Sequence, residues 1–107
     1  MRACYDRTVR VPVQLPAAGT RPFDAVGFGL NTTDLVAVVA QHPSPGTKQP
    51  IRQLAFLPGG QAATAMTACS RLGWAARYVG RFGADRNGTV GRETLRADGV
   101  DITACET

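Results

Sequence analysis

The order of apolar runs along this chain predicts an α/β fold. Residues 23–29 and the valine-rich residues 35–40 are short, mostly apolar runs that are typical of buried strands. Residues 61–72 place small apolar side chains around most of a helix, and Gly73 is positioned to end it. Residues 74–80 form the next strand-like run. The order strand, helix, strand favours a parallel pair joined by a right-handed crossover.

The segments around this unit fit the same architecture. After a turn rich in proline and glycine, residues 48–57 alternate unevenly, which predicts one or two short strands. Asp85 or Asn87 is placed to cap a helix that runs to about Asp98, and residues 100–102 would begin a further strand. Helices and strands still alternate where the chain ends, so we expect a truncated α/β domain.

The chain is long enough for one small domain. It has 107 residues, of which 44% are hydrophobic, an ordinary value for a globular protein. Residues 1–22 mix proline, glycine and arginine without a sustained apolar pattern. We therefore expect a flexible N-terminal extension over residues 1–22 and folded structure over residues 23–107.

Charge, cysteine content and hydropathy exclude several classes of function. The net charge of +4 comes from basic residues that are scattered along the chain, and no nucleic-acid-binding motif accompanies them. Cys4, Cys69 and Cys105 are far apart, which supports neither a disulfide framework nor a zinc site. No apolar run has the length of a membrane span or the pattern of a secretory signal. We expect no nucleic-acid partner, no membrane partner, no bound structural metal and a cytoplasmic location.

Two common nucleotide-binding motifs are missing. Gly27-Phe28-Gly29 follows a strand, but Thr32 stands where a dinucleotide-binding fingerprint needs its third glycine, and a second strand follows in place of a helix. The chain also has no phosphate-binding loop of the Gly-x-x-x-x-Gly-Lys-Ser/Thr type.

Two short segments could bind a ligand. Pro58-Gly59-Gly60 breaks the backbone direction just ahead of the helix, where glycine allows a ligand to approach free helix N–H groups, although such pairs are more often simple turns. Asp34 lies between a turn and an apolar strand. Its carboxylate could accept paired hydrogen bonds from neighbouring sugar hydroxyls, but a turn-capping role suits it equally well.

Five features occur in a characteristic order. They are Asp34 five residues after Gly29; Pro-Ser-Pro-Gly at residues 43–46; Gly59-Gly60 with a small-residue helix that ends in Arg71-Leu72-Gly73; Val-Gly-Arg-Phe-Gly-Ala-Asp with Gly88 from residue 79; and Leu95 with Gly99-Val100-Asp101. Together they resemble the N-terminal half of the ribokinase-like (PfkB) carbohydrate kinase family. The resemblance implies a partial ribokinase-like fold, a mainly parallel sheet with flanking helices and a small lid of strands.

The resemblance also assigns roles to individual residues. Asp34 would bind sugar hydroxyls, and Gly59 and Gly60 would line the substrate pocket. Gln61 and Thr64 would face that pocket, although many family members have asparagine at the position of Thr64. We include Asn31 as well, which stands one residue earlier than the asparagine used by ribokinase.

Members of this family transfer phosphate from ATP, with Mg²⁺, to a hydroxyl of a sugar or nucleoside. Their second signature, which carries the catalytic aspartate, is absent from this sequence. The resemblance therefore implies the acceptor-binding half of a kinase, with no catalytic residue and no ATP or Mg²⁺ motif of its own, and inactive alone. The alternative is a non-catalytic truncated remnant that binds a ligand or dimerises. Residues 35–40 and 48–57 would be the lid strands, through which family members often form homodimers.

Overall fold

The computed structural model describes Ala17 and residues 19–107, so the expected extension over residues 1–22 lies mostly outside the described residues. The α/β architecture is confirmed. In chain order the elements are β1 (Ala25–Phe28), β2 (Thr32–Val39), β3 (Ile51–Gly59), α1 (Gln61–Arg71), β4 (Ala76–Val79) and α2 (Arg86–Ala97). Strands β1 and β4 form one sheet, and β2 and β3 form a separate two-stranded ribbon.

The parallel pair predicted from the strand, helix, strand order is present. Strand β1 pairs with β4 in parallel, from Ala25 opposite Ala76 to Phe28 opposite Val79. Helix α1 connects the two sheets and packs on one face of this pair, where the apolar side chains of helix and strands meet. The buried core consists of Ala63, Met66, Ala76, Tyr78, Phe82, Leu95, Val100 and Ile102.

The ribbon is longer than the sequence indicated. Strand β2 begins at Thr32, so Asp34 lies inside a strand and the expectation that it sits at a junction between turn and strand is wrong. Strand β3 is a single strand that runs through Pro58 to Gly59, and the backbone changes direction only at Gly60, where φ is 93°. Because the ribbon has only two strands, the N–H that Pro58 lacks can fall on a free edge, where the ladder does not need it.

Both helices end where glycine allows a left-handed backbone. Gly73 and Gly99 have φ values of 89° and 75°, and each follows the C-cap of its helix. Asp85 caps α2, as predicted, by accepting a hydrogen bond from the Gly88 N–H at 2.8 Å. With 11 and 12 residues, the two described helices are too short and too polar to cross a bilayer.

The strand expected over residues 100–102 is reduced to a single bridge between Asp101 and Arg77. The Tyr78 N–H donates to the Asp101 carbonyl, and the Asp101 N–H donates to the Ala76 carbonyl, each at 2.9 Å. Beyond this point the Thr103 N–H turns back to the Asp101 carboxylate, so the backbone leaves the ladder. The bridge extends the β1–β4 sheet by one residue.

Arg77, within β4, and Arg81, two residues after it, form ion pairs. Arg77 pairs with Asp101 at 2.9 Å and Arg81 with Glu106 at 3.8 Å. The hydrogen bond from Arg77 lowers the pKa of Asp101, and hydrogen bonds from Thr103 act in the same direction. Both pairs connect β4 to the C-terminal segment.

The Arg77–Asp101 pair predicts a pH dependence of stability. Because the pKa of Asp101 is lowered in the folded chain, its ionised form stabilises the fold above the ordinary carboxyl pKa of about 4. That contribution is lost as the pH falls through the folded-state pKa. Thermal unfolding of the wild type and Asp101→Asn between pH 7 and pH 2.5 should show a difference in midpoint that shrinks towards acid. A difference independent of pH would contradict the assignment.

The cap of α2 makes a second prediction. Asp85→Ala removes the acceptor for the Gly88 N–H and should lower the free energy of unfolding by about 1 kcal/mol. Asp85→Ser, which keeps an acceptor at this position, should retain most of the stability. Denaturant unfolding of the three proteins measures the difference, and equal losses in both variants would rule out the cap as the cause.

Candidate functional site

The first turn of α1 lies directly on the loop that joins β1 to β2. A Cβ built on Gly60 would lie 2.5 Å from both the Leu30 carbonyl oxygen and the Asn31 Cα, so only glycine allows this approach. The Ala63 N–H donates to the Leu30 carbonyl at 3.3 Å. The start of the helix and the loop therefore form one continuous surface.

Asp34 lies against the end of β3. A Cβ built on the buried Gly59 would lie 2.5 Å from Asp34 Oδ2 and 2.8 Å from Thr32 Oγ1. The Thr32 hydroxyl donates to Asp34 Oδ1 at 3.3 Å, and the Asp34 side chain remains exposed. The missing side chain at Gly59 thus leaves the space that the carboxylate occupies, one residue before α1 approaches.

A cavity of about 230 Å³ opens beside this surface, between α1 and α2. Three of the residues proposed from the sequence line it, namely Asn31, Gly59 and Thr64. The remaining lining residues are Pro58, Ala63, Thr67, Arg71, Gly91, Thr94, Leu95 and Asp98. The cavity is mainly apolar, with threonine hydroxyls from both helices.

Five of the six residues proposed from the sequence lie together, and one does not. Asp34 contacts Gly59, and Gly60 contacts the backbone of Asn31, so five of the six lie together around the start of α1. Gln61 is the first residue of α1 and is exposed, outside the lining of the cavity. The structure thus groups the two glycines with Asp34, Asn31 and Thr64.

The amide group of Asn31 is engaged by the protein. Its Nδ2 donates to the Tyr78 hydroxyl at 2.8 Å and to the Arg81 carbonyl at 2.9 Å. Sequence reasoning placed Tyr78 only within a strand and missed this contact. The available signal was chemical, since a tyrosine in a buried strand needs a partner for its hydroxyl.

The local charges suit a neutral polar ligand. The first turn of α1 has no acidic residue and no side-chain cap, and the Ala63 N–H donates to the Leu30 carbonyl. At the other end of the cavity Arg71 pairs with Asp98 at 2.9 Å, and this hydrogen bond raises the pKa of Arg71. The pair neutralises its own charges, which leaves Asp34 as the charged group beside the α1 N-terminus.

Side chains that could bind a metal ion do not converge in the part of the chain that the structure describes. Over residues 19–107, no three histidine, cysteine, aspartate or glutamate side chains converge in a way that could hold a metal ion. Mg²⁺ prefers carboxylate and phosphate oxygens, and Asp34 would supply only one such group here. The geometry of this part of the chain fits the recognition of hydroxyl groups.

The comparisons with known proteins identify the family. Residues 23–107 match the pfkB family of carbohydrate kinases. The chain belongs to that family. A nucleoside kinase from Methanothermobacter thermautotrophicus is 33% identical over 79 residues, which cover 74% of this chain and 26% of the relative.

Solved structures of kinases share the fold. Arabidopsis thaliana ribokinase, in complex with ribose and ATP, matches with a TM-score of 0.66 and 23% identity, over 78% of this chain and 28% of its own. An aminoimidazole riboside kinase from Salmonella enterica, in complex with aminoimidazole riboside and an ATP analogue, matches with a TM-score of 0.59 and 26% identity, over 76% of this chain and 24% of its own. The chain spans about a quarter of the length of these relatives.

The contact between Gly59 and Asp34 gives a prediction that needs no ligand. Gly59→Ala should destabilise the fold by about 1 to 3 kcal/mol, because the new methyl group overlaps the carboxylate. In an Asp34→Ala background the same substitution should cost less, although Thr32 keeps part of the clash. Denaturant unfolding of the four proteins measures the coupling, and strictly additive losses would show that Asp34 does not fill this space.

Proposed function

We propose that the whole protein uses ATP and Mg²⁺ to phosphorylate a hydroxyl group of a sugar or nucleoside, and that this chain binds the acceptor. The observation that carries the proposal is the position of Asp34 in a chain of this family: it lies against Gly59, one residue before the closely packed start of α1. Two of the kinases with similar structures were solved with a ribose or a riboside bound.

Asp34 would orient the acceptor. A carboxylate accepts hydrogen bonds from two neighbouring hydroxyls, and hydrogen bonds to a charged group contribute about 1.5 to 3 kcal/mol each. Gly59 and Gly60 keep the backbone open beside it, and Thr64 adds a hydroxyl one turn into α1. Gln61, exposed at the first helical position, could reach an acceptor above the helix.

The catalytic part of the protein would lie outside this chain. Phosphoryl transfer needs the nucleotide phosphates, a metal ion and the acceptor hydroxyl to be held together, and the cavity of about 230 Å³ is smaller than the roughly 300 to 1,000 Å³ of ligand pockets. Residues 23–107 would therefore be the acceptor-binding part of a kinase domain, preceded by an extension over residues 1–22. We expect this chain alone to be inactive, and we place it in the cytoplasm because the pattern of its three cysteines does not suggest disulfides.

Asp34→Asn in the whole protein tests this assignment. The amide keeps the shape but loses the charge, so we expect the affinity for the acceptor to fall about tenfold to a hundredfold, with little change in the KM for ATP. Asp24→Asn is the matched control. Asp24 lies away from the site and accepts a hydrogen bond of 2.8 Å from the Ala75 N–H. ATP-dependent phosphorylation of a panel of sugars and nucleosides supplies the readout. An unchanged acceptor affinity would remove Asp34 from the site.

The ribbon favours a second candidate, a ligand-binding or dimerisation module without activity. Beyond Thr33 and Pro58, which lie at its base, one face of the ribbon is apolar, since cross-strand neighbours and alternate residues share a face. Its residues are Leu35, Ala37, Val39, Ile51, Leu54 and Phe56. Leu35 is 60% exposed and Leu54 52% exposed, a favourable surface for a second copy of this chain.

Sedimentation of the isolated chain distinguishes the two candidates. A discrete dimer that dissociates on Leu54→Lys would support a homodimer formed through the lid strands and a module with a role of its own. Gln53→Lys, which puts the same charge on the opposite face, is the control. Aggregation that neither substitution changes would instead support an incomplete part of a kinase.

A further inference from the structure

We propose that Tyr78 and Asn31 are positioning residues, which hold the loop between β1 and β2 so that Asp34 and Gly59 stay in register with the start of α1. The inference rests on the proposed function for its effect on the acceptor, but its structural part stands independently. It gives the N–H groups of the Asn31 amide a role within the protein and no contact with the substrate.

Each of the three loop residues has its own anchor. The Tyr78 hydroxyl donates to the Gly29 carbonyl at 2.6 Å. The Leu30 carbonyl accepts from the Ala63 N–H, and the Asn31 amide donates to the Tyr78 hydroxyl and to the Arg81 carbonyl. The loop is thereby tied to α1 and to both ends of the Tyr78–Arg81 segment.

The Tyr78 hydroxyl is the centre of this network. Tyr78 is fully buried, so water cannot replace a lost partner and both functions of its hydroxyl are used, one as donor and one as acceptor. A Cβ at Gly80 would overlap the hydroxyl, so the glycine that follows β4 makes room for it. The ring packs at 5.9 Å from the Phe82 ring, which fixes its direction.

The network connects the loop to the site. Asn31 is followed directly by β2, whose first residue, Thr32, pairs with Gly59 and whose third residue is Asp34. A shift of the loop would therefore move the carboxylate relative to Gly59 and to the α1 N-terminus. Because the two Asn31 N–H groups already have protein acceptors, using them for a ligand would break this arrangement.

The structural part is tested by amide hydrogen exchange of the whole protein without acceptor. Tyr78→Phe keeps the ring and removes the hydroxyl, so exchange over residues 29–34 should become about three to ten times faster than in the wild type. Ser70→Ala is the matched control, because Ser70 donates a comparable part-buried hydrogen bond of 2.6 Å to the Asp98 carbonyl, far from the loop. Unchanged exchange over residues 29–34 in Tyr78→Phe would overturn the proposal.

The functional part is tested by kinetics. Tyr78→Phe should raise the KM for the acceptor by about three- to tenfold, with the KM for ATP unchanged, whereas Ser70→Ala should change neither. If the wild type transfers phosphate to no sugar or nucleoside, the proposed function fails, and hydrogen exchange still decides whether the loop is held in this way.

A double-mutant cycle tests whether Asn31 acts through Tyr78. If Asn31 acts through Tyr78, then Asn31→Ala and Tyr78→Phe together should raise the acceptor KM by less than the product of their separate effects. Effects that multiply would show that Asn31 and Tyr78 act independently, and that result would overturn the role given to Asn31. Asn31 is only partly buried, so Asn31→Ala also provides a second variant should Tyr78→Phe unfold the chain.

Discussion

The close approach of α1 to β1 is the constraint on which the remaining structure depends. A Cβ at Gly27 would lie 2.6 Å from Met66 Cγ, and one at Gly29 would lie 3.0 Å from the Ala62 Cβ. Glycine on the strand and small residues on the helix therefore set the distance between the two elements, and side chains of ordinary size would push them apart. Because α1 begins at the same level as the β1–β2 loop, this contact also brings Gly60 onto that loop and creates the candidate site.

The candidate site therefore lies between a well-packed part of the fold and an exposed part. The well-packed part is the β1–α1–β4 unit, whose core contains Met66 and Tyr78. The exposed part is the ribbon, which contacts α2 mainly at its base. There the Arg86 guanidinium lies 4.2 Å from the centre of the Phe56 ring, and the Thr33 hydroxyl donates to the Asn87 carbonyl at 3.3 Å. Asp34 lies in this anchored part of the ribbon, next to Thr33 and against Gly59, so the same contacts help to keep its carboxylate beside the start of α1.

Much of the fold could be predicted because its signals are local. The helix over residues 61–72, the cap at Asp85 and the parallel pair all follow from short patterns of residue size and polarity. The length of the ribbon could not be predicted in this way, because Thr32 and Asp34 belong to β2 through pairing with β3 and not through apolar character. The Asn31–Tyr78 contact joins residues 47 positions apart, so no local pattern indicates it. The sequence thus predicted five of the residues that lie together around the start of α1, but not what each one contacts.

Two glycine-rich motifs of this chain illustrate why a motif must be interpreted through its contacts. In the segment from Gly83 to Gly88 the two glycines touch, the Gly88 N–H is used by the Asp85 cap, and the motif serves to start α2. At Gly59 and Gly60 the neighbours are instead the exposed Asp34 carboxylate and the backbone of the β1–β2 loop, and a cavity opens beside them. The same residue type builds a closed turn in one place and an open surface in the other.

A turn that satisfies its own N–H groups has little to offer a ligand, whereas an exposed carboxylate beside the start of a helix offers both an acceptor and a positive dipole end. This difference in contacts, more than the glycines themselves, is the basis for proposing the start of α1 as the surface that binds a polyol.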